Sequence, residues 1–192
     1  GVIVPGDSTR LGVWVEASGL RSGTLVSDLN LWARVYTSDG RFHNLFIGEV
    51  SSIRSGIVGG TVRADPDGAS PSWAYYEEEI RDTLNPTGAP FRLVSLYFSR
   101  KSFARTPPGN ISLDDITVKG PSSPPDGLVI EDFESQGRWI PLANEGHAPD
   151  VVRLSSPAAR SGNAGLHLVW EETFKDVSRG VVIPPDPFPI PA

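Results

Sequence analysis

Five carboxylates on two short segments carry the densest chemistry in this sequence. Asp114 and Asp115 lie in ISLDDITV, residues 111–118, and Glu131, Asp132 and Glu134 lie in VIEDFES, residues 129–135. Both segments read as strands. If they pair, carboxylates from both meet at one end of a sheet. Hard oxygens converging with turn carbonyls suit Ca2+, which takes about six to eight oxygen ligands. The same groups at a solvated strand end need no metal.

A carboxylate pair is also what a glycosidase uses, but that chemistry requires one raised pKa and a cleft between the two groups. Neither is legible here. Glu77, Glu78 and Glu79 read as an exposed acidic patch. His43, His147 and His167 are scattered, with no H-x-x-x-H pair to support zinc, and surface or sheet-packing roles suit them better. No G-x-S-x-G elbow and no G-x-x-x-x-G-K-[ST] phosphate loop occurs. The expectation is therefore a chain that is not an enzyme.

The second candidate is aromatic. In LGVWVE, residues 11–16, Leu11, Val13 and Val15 share one face and Trp14 takes the other. In LNLWARVY, residues 29–36, Leu29, Leu31, Ala33 and Val35 face one way, and Asn30, Trp32, Arg34 and Tyr36 the other. If these strands are neighbours, Trp14, Trp32, Arg34 and Tyr36 form an aromatic and cationic patch. Sugar rings stack on such platforms, and a protein partner docks on them equally well. The alternation is also compatible with the reverse orientation, in which the tryptophans fill the core.

The elements that must position these groups are short strands. Ser38-Asp39-Gly40 supplies turn chemistry between residues 29–36 and 42–48, which together read as a hairpin. Further strands are expected at 57–63, 73–80, 91–98, 111–118, 128–134, 151–154, 164–171 and 180–183, with a short one starting at Trp139. Residues 91–98, FRLVSLYF, are apolar on both faces and read as a central strand. Loops are expected at 65–71 and 101–109, and a turn at 159–165. Repeated Pro over 184–191 ends the sheet pattern. With 20 Gly and 18 Pro in 192 residues, long helices are not signalled. The chain is long enough for a sizeable core, which five Trp and eight Phe help to fill. The fold class is all-β, with about ten strands in two antiparallel sheets.

Net charge is −6 without a cluster of Lys or Arg, which argues against a nucleic-acid groove or binding to an anionic membrane surface. The absence of Cys removes disulfides and thiolate chemistry. No Met occurs, even at position 1, so the sequence reads as an excised or processed segment. No signal peptide or long apolar run is visible, and no direct membrane insertion by this segment is expected.

Taken in order, LGVWV, LWARVYTSDGRFHNLFIGEV, FRLVSLYFSR, ISLDDITV, VIEDFES, ARSGNAGLHLVWEE and RGVVIPPDPFPIPA span nearly the whole chain. This ordered set resembles the extracytoplasmic jelly-roll region of bacterial ABC transporter permeases of the macrolide-exporter and lipoprotein-release type. L-D-D-I and D-F-E segments also make it similar to galactose-binding-like carbohydrate-binding modules. In such jelly rolls the D-F-E segment opens the domain and the L-D-D-I segment closes it; here the order is reversed. The resemblance thus implies a jelly-roll β-sandwich with halves in permuted order. Residues 1–120 are a C-terminal-type half, 121–128 a linker, and 129–192 an N-terminal-type half that completes one sandwich with 1–120. Were the linker unable to make the turn, two chains would exchange halves.

The resemblance further implies a structural Ca2+ held by Asp115 and Glu134, with Asp114 and Asp132 beside them and carbonyls near 161–165. No other cofactor is expected. The implied role is recognition or scaffolding on the extracytoplasmic face of the cytoplasmic membrane. The implied partners are the rest of a membrane-embedded transporter or neighbouring extracytoplasmic domains. The alternative is a carbohydrate-binding module of a secreted or cell-surface protein.

Overall fold

The computed structural model describes residues 1–17, 29–50, 63–64, 73–80, 84, 88–100, 109–134, 139–142, 151–170 and 179–183. Alternation is the rule that builds it. In Leu29–Tyr36 every odd-numbered residue is buried and every even-numbered one half-buried, as a strand with one face on a core requires. The hairpin partner is Phe42–Val50, registered from Leu29 with Val50 to Tyr36 with Phe42. Its turn is closed by the Thr37 N–H donating to the Arg41 carbonyl and the Gly40 N–H to that of Thr37, 3.0 Å each. Gly40 sits at φ 79°, the left-handed region that glycine enters without steric cost.

Thirteen strands are described: β1 (Val2–Val4), β2 (Arg10–Glu16), β3 (Leu29–Tyr36), β4 (Phe42–Val50), β5 (Arg63–Ala64), β6 (Trp73–Glu79), β7 (Phe91–Arg100), β8 (Gly109–Lys119), β9 (Leu128–Glu131), β10 (Ile140–Leu142), β11 (Val151–Ser155), β12 (Gly165–Trp170) and β13 (Arg179–Ile183). The sequence led us to expect fewer, because β1 is only three residues long and short strands carry little periodic signal. The segment expected as one strand over 128–134 ends at Glu131, and the short strand near Trp139 begins at Ile140. The readings for 57–62, 65–71, 101–108, 184–191 and His147 fall outside the described residues. Among the described residues the only helical turn is a 3-10 turn at Ser156–Ala158, and no helix is long and apolar enough to cross a membrane.

All pairings are antiparallel, and they form two sheets. The six-stranded sheet runs β10-β13-β7-β3-β4, with β1 beside β7. The seven-stranded sheet runs β11-β12-β8-β2-β6-β5, with β9 beside β8. As expected, Phe91–Phe98 is central: β7 has β3 on one side and β1 and β13 on the other. The two inner faces pack Leu11, Val13, Val15, Ile111, Leu113, Leu166 and Leu168 against Leu31, Ala33, Val35, Leu93 and Leu96, all almost fully buried. Each of these Leu, Ile and Val side chains contributes about 1.5–3 kcal/mol when buried. The architecture is an all-β sandwich.

ISLDDITV pairs with the strand that opens VIEDFES inside one chain: Ile116 faces Glu131, Thr117 faces Val129 and Val118 faces Leu128. The connection is compact. Ser123 Oγ donates to the Gly120 carbonyl and accepts from the Gly120 N–H, and the Gly127 N–H donates to Pro124. Strands from both sides of this connection meet in both sheets, β12 on β8 and β13 on β7.

Candidate functional site

The acidic residues sit where one strand changes neighbours. β12 pairs with 109–113 of β8, and β9 pairs with 116–118 on the same edge. Asp114 and Asp115 fall in the gap. Across the other edge, Trp14 faces Asp114 and Gly12 faces Thr117, so β8 takes three steps where β2 takes two. That extra residue is a β-bulge, and Asp115 there adopts φ 43°. Asp is among the few side chains that tolerate this conformation.

The turn between the 3-10 turn and β12 fills the gap, and the carboxylates hold it. Asp114 is fully buried. Its Oδ2 accepts the backbone N–H groups of Arg160 (2.7 Å) and Ser161 (3.0 Å), and its Oδ1 accepts that of Asp115 (2.9 Å). Asp115 Oδ2 accepts from Ser161 Oγ (2.9 Å) and Arg160 Nη1 (3.3 Å). Glu134 Oε1 accepts the N–H groups of Asn163 (2.7 Å) and Ala164 (2.9 Å), and Oε2 the Asn163 amide (3.2 Å). Gly162, at φ 63°, lies so close that a Cβ there would meet Glu134 Oε1 at 2.2 Å. Asp132 is exposed and caps the Glu134 N–H. Phe133 is pinned by the Glu131 carboxylate on its N–H, turns through φ 56° and buries its ring against Trp139.

Asp114, Asp115 and Glu134 are thus brought to the 160–164 turn, where the resemblance placed them. What the turn presents to them is N–H and O–H donors. Among the described residues no group of three or more His, Cys, Asp or Glu is arranged to hold a metal. The donor set suits a carboxylate clamp closed by the chain itself.

The clamp extends to Trp14. The Arg160 guanidinium lies 3.8 Å over the indole, a cation–π contact. The far side of this network is ionic. Trp14 touches Tyr75, whose hydroxyl donates to Glu77 (3.1 Å) and shares a hydrogen with Thr117 Oγ1 (2.6 Å). Glu77 also accepts from Lys119 (2.6 Å) and Arg10 (2.9 Å). The expected acidic patch at 77–79 is not uniform: Glu79 is exposed and Glu78 half-exposed, but the Glu77 side chain, held by Tyr75, Lys119 and Arg10, is only 2% exposed. Gly12 makes this possible, because a Cβ at that position would stand 2.2 Å from the Tyr75 hydroxyl.

The four aromatic and cationic candidates do not form one patch. Trp14 is on β2 of the seven-stranded sheet, whereas Trp32, Arg34 and Tyr36 are on β3 of the six-stranded sheet. In both strands the aliphatics face inward, so the two groups lie on opposite outer faces. Period-2 alternation assigns a face but not a sheet. The outer face around β3 gains residues the sequence reading missed. Phe42 packs on Tyr36 (4.9 Å), Phe46 on Trp32 (5.1 Å), and Tyr97 lies parallel to Trp32 at 6.1 Å. They follow from the register, since Phe46 and Tyr97 flank Trp32 and Phe42 flanks Tyr36. Trp32 Nε1 donates to Ser99 Oγ (2.9 Å), and Arg34 Nε to Asn44 Oδ1 (3.1 Å). Phe42 is 60% exposed. Trp32, Tyr36 and Phe46 are half-buried and Tyr97 is buried, so this is an aromatic ladder opening to solvent at Phe42, with polar groups between the rings.

The carboxylates titrate differently. Burial pushes Asp114 up to about 6, against the N–H donors of Ser161 and Arg160; the Asp115 charge adds to the rise. Burial also opposes charge on Glu77, but the bonds from Lys119 and Arg10 outweigh it and hold the group below the usual range. The Ala164 and Asn163 N–H groups lower Glu134. His167 is lowered by burial and by the Arg153 charge. Because Asp114 is raised above its unfolded value of about 3.9, its contribution is fully present below that value and is lost as pH rises through about 6. His167, being lowered, acts in the opposite sense over the same range. Comparison with Asp114→Asn separates them: the stability advantage of the wild type over the variant should shrink by about 1 kcal/mol between pH 5 and pH 7 in urea unfolding. A constant gap would remove Asp114 as the titrating group.

Compared with protein-family models, curated proteins and solved structures, the chain matches none of them.

Proposed function

We propose that this chain is a non-catalytic recognition domain and that its working surface is the aromatic outer face of the six-stranded sheet. The observation that carries this reading is the ladder of Tyr36, Phe42, Trp32, Phe46 and Tyr97 on one sheet face, with Phe42 standing 60% exposed. Half-exposed Trp32, Tyr36 and Phe46 beside the exposed Phe42 on the outer face favour binding, since burial in the core is where aromatic area otherwise contributes stability. The acids have other work: Asp114, Asp115 and Glu134 hold a turn, and Glu77 neutralises two cations.

The setting follows the ordered motifs: an extracytoplasmic domain of an ABC transporter permease, acting in substrate or partner recognition or as a scaffold. The clamp is in keeping with either role, because it fixes the sandwich end without consuming the aromatic face. The location is tested by a single cysteine at Asp126, an exposed residue of the 120–127 connection, in the full-length parent protein. A membrane-impermeant maleimide should label it in intact cells with the outer barrier opened. Labelling only after lysis would contradict an extracytoplasmic position.

The second reading is a carbohydrate-binding module of a secreted or cell-surface protein. It is favoured by the alternation of ring and polar group along β3, Trp32, Arg34, Tyr36, which offers stacking and hydrogen bonding on one strand face.

A further inference from the structure

Arg34 stands between Trp32 and Tyr36 on the outer face of β3, and the row they make is about 13 Å long at the rise of a strand. The guanidinium is oriented by two contacts: its Nε donates to Asn44 Oδ1 at 3.1 Å, and its centre lies 5.9 Å from the Tyr97 ring centroid. With Nε engaged, the Nη1–Nη2 end remains, and among the described residues neither nitrogen has a partner. Asn44 beside it is an exposed residue whose amide oxygen is already taken. The cross-strand neighbours of Trp32, Arg34 and Tyr36 include a second cation, Arg92, and no Asp or Glu. In a chain of net charge −6, this surface therefore offers N–H donors and positive charge between aromatic rings. A neutral sugar presents donors as well as acceptors. A carboxylate presents acceptors alone and matches the two-nitrogen fork of an arginine.

We infer that this part of the outer face is a carboxylate subsite for an acidic glycan, one whose sugar rings stack on Trp32 and Tyr36 while a uronate carboxylate takes the Nη1–Nη2 edge of Arg34. The inference rests on the carbohydrate reading given above and names the class of glycan. It differs from an acidic peptide in requiring a ring on each side of the charge, which the Trp32–Arg34–Tyr36 order supplies.

The test is calorimetric titration of the 192-residue chain with polygalacturonate and alginate, with carboxyl-reduced polygalacturonate as the neutral control and poly-L-glutamate as the peptide control. Saturable binding to a uronate polymer is expected, weaker by about tenfold or more for the reduced polymer and for Arg34→Gln. Arg34→Lys, which keeps the charge and loses the fork, should fall between the two. Both changes are made on a half-exposed head group, and unchanged thermal unfolding confirms that each variant is folded. Equal binding of charged and reduced polymer, untouched by Arg34→Gln, overturns the carboxylate subsite and leaves carbohydrate binding standing. No binding to any glycan overturns both. Poly-L-glutamate binding as tightly as the uronates overturns the glycan in favour of an acidic peptide.

Discussion

Asp114→Ala is expected to lower the unfolding free energy by about 3–5 kcal/mol, the largest effect of any single polar substitution among the described residues. The carboxylate is fully buried and takes three backbone N–H groups, those of Asp115, Arg160 and Ser161. Removing it leaves three donors without an acceptor, and a buried donor left unsatisfied costs about 1–3 kcal/mol. The loss spreads, because the same turn carries Arg160 onto Trp14 and Asn163 onto Glu134. Denaturant unfolding at pH 7 checks it, with the midpoint falling and the slope unchanged. A loss below about 1 kcal/mol would mean that the turn holds its place by other contacts.

Glu77→Gln is expected to cost about 2–4 kcal/mol. Glu77 is buried, and its charge is matched by Lys119 and Arg10 and bonded by Tyr75. An amide keeps the shape but removes the charge and turns a donor toward two cations. Arg10 is 47% exposed and can rehydrate, so most of the cost falls on Lys119 and Tyr75. The direction with pH is also fixed. Glu77 is held below the usual range, so its stabilisation is present above its unfolded value of about 4.3 and is lost as pH falls through the lowered pKa. The difference between wild type and Glu77→Gln should therefore be large at pH 7 and vanish in acid. A difference that stays constant down to pH 2 would show that shape rather than charge is what Glu77 supplies.

Much of the sandwich was legible because burial and side-chain period act locally. Leu29–Tyr36 shows its inner and outer faces in its own letters, and the Ser38-Asp39-Gly40 turn fixes the register of the next strand. The meeting of ISLDDITV with VIEDFES was legible too; the approach of Asp115 and Glu134 to the 161–165 turn was implied by the resemblance alone, not by the residues themselves. What the letters do not carry is which sheet a strand joins. Trp14 and Trp32 have the same alternation around them and end on opposite faces, because β2 pairs with β6 and β8 while β3 pairs with β4 and β7. Nor do they carry the polarity of a turn. Oxygen-rich acids beside Ser161–Gly165 suggest carbonyl partners and a cation, whereas the turn aims its N–H groups at them. The fate of Glu77 depends on Gly12, a residue whose importance is the absence of a side chain across the sheet from it.

The central claim is that recognition happens on the outer face of the six-stranded sheet. The most direct measurement follows the indole N–H resonances of the chain during titration with soluble oligosaccharides and polysaccharides, with Trp32→Ala and Trp14→Ala as controls. Trp32 should shift on binding, saturable binding should disappear in Trp32→Ala, and Trp14→Ala, whose indole already carries Arg160, should bind as the wild type does. Binding that survives Trp32→Ala and is lost in Trp14→Ala would contradict the account and move the site to the opposite sheet.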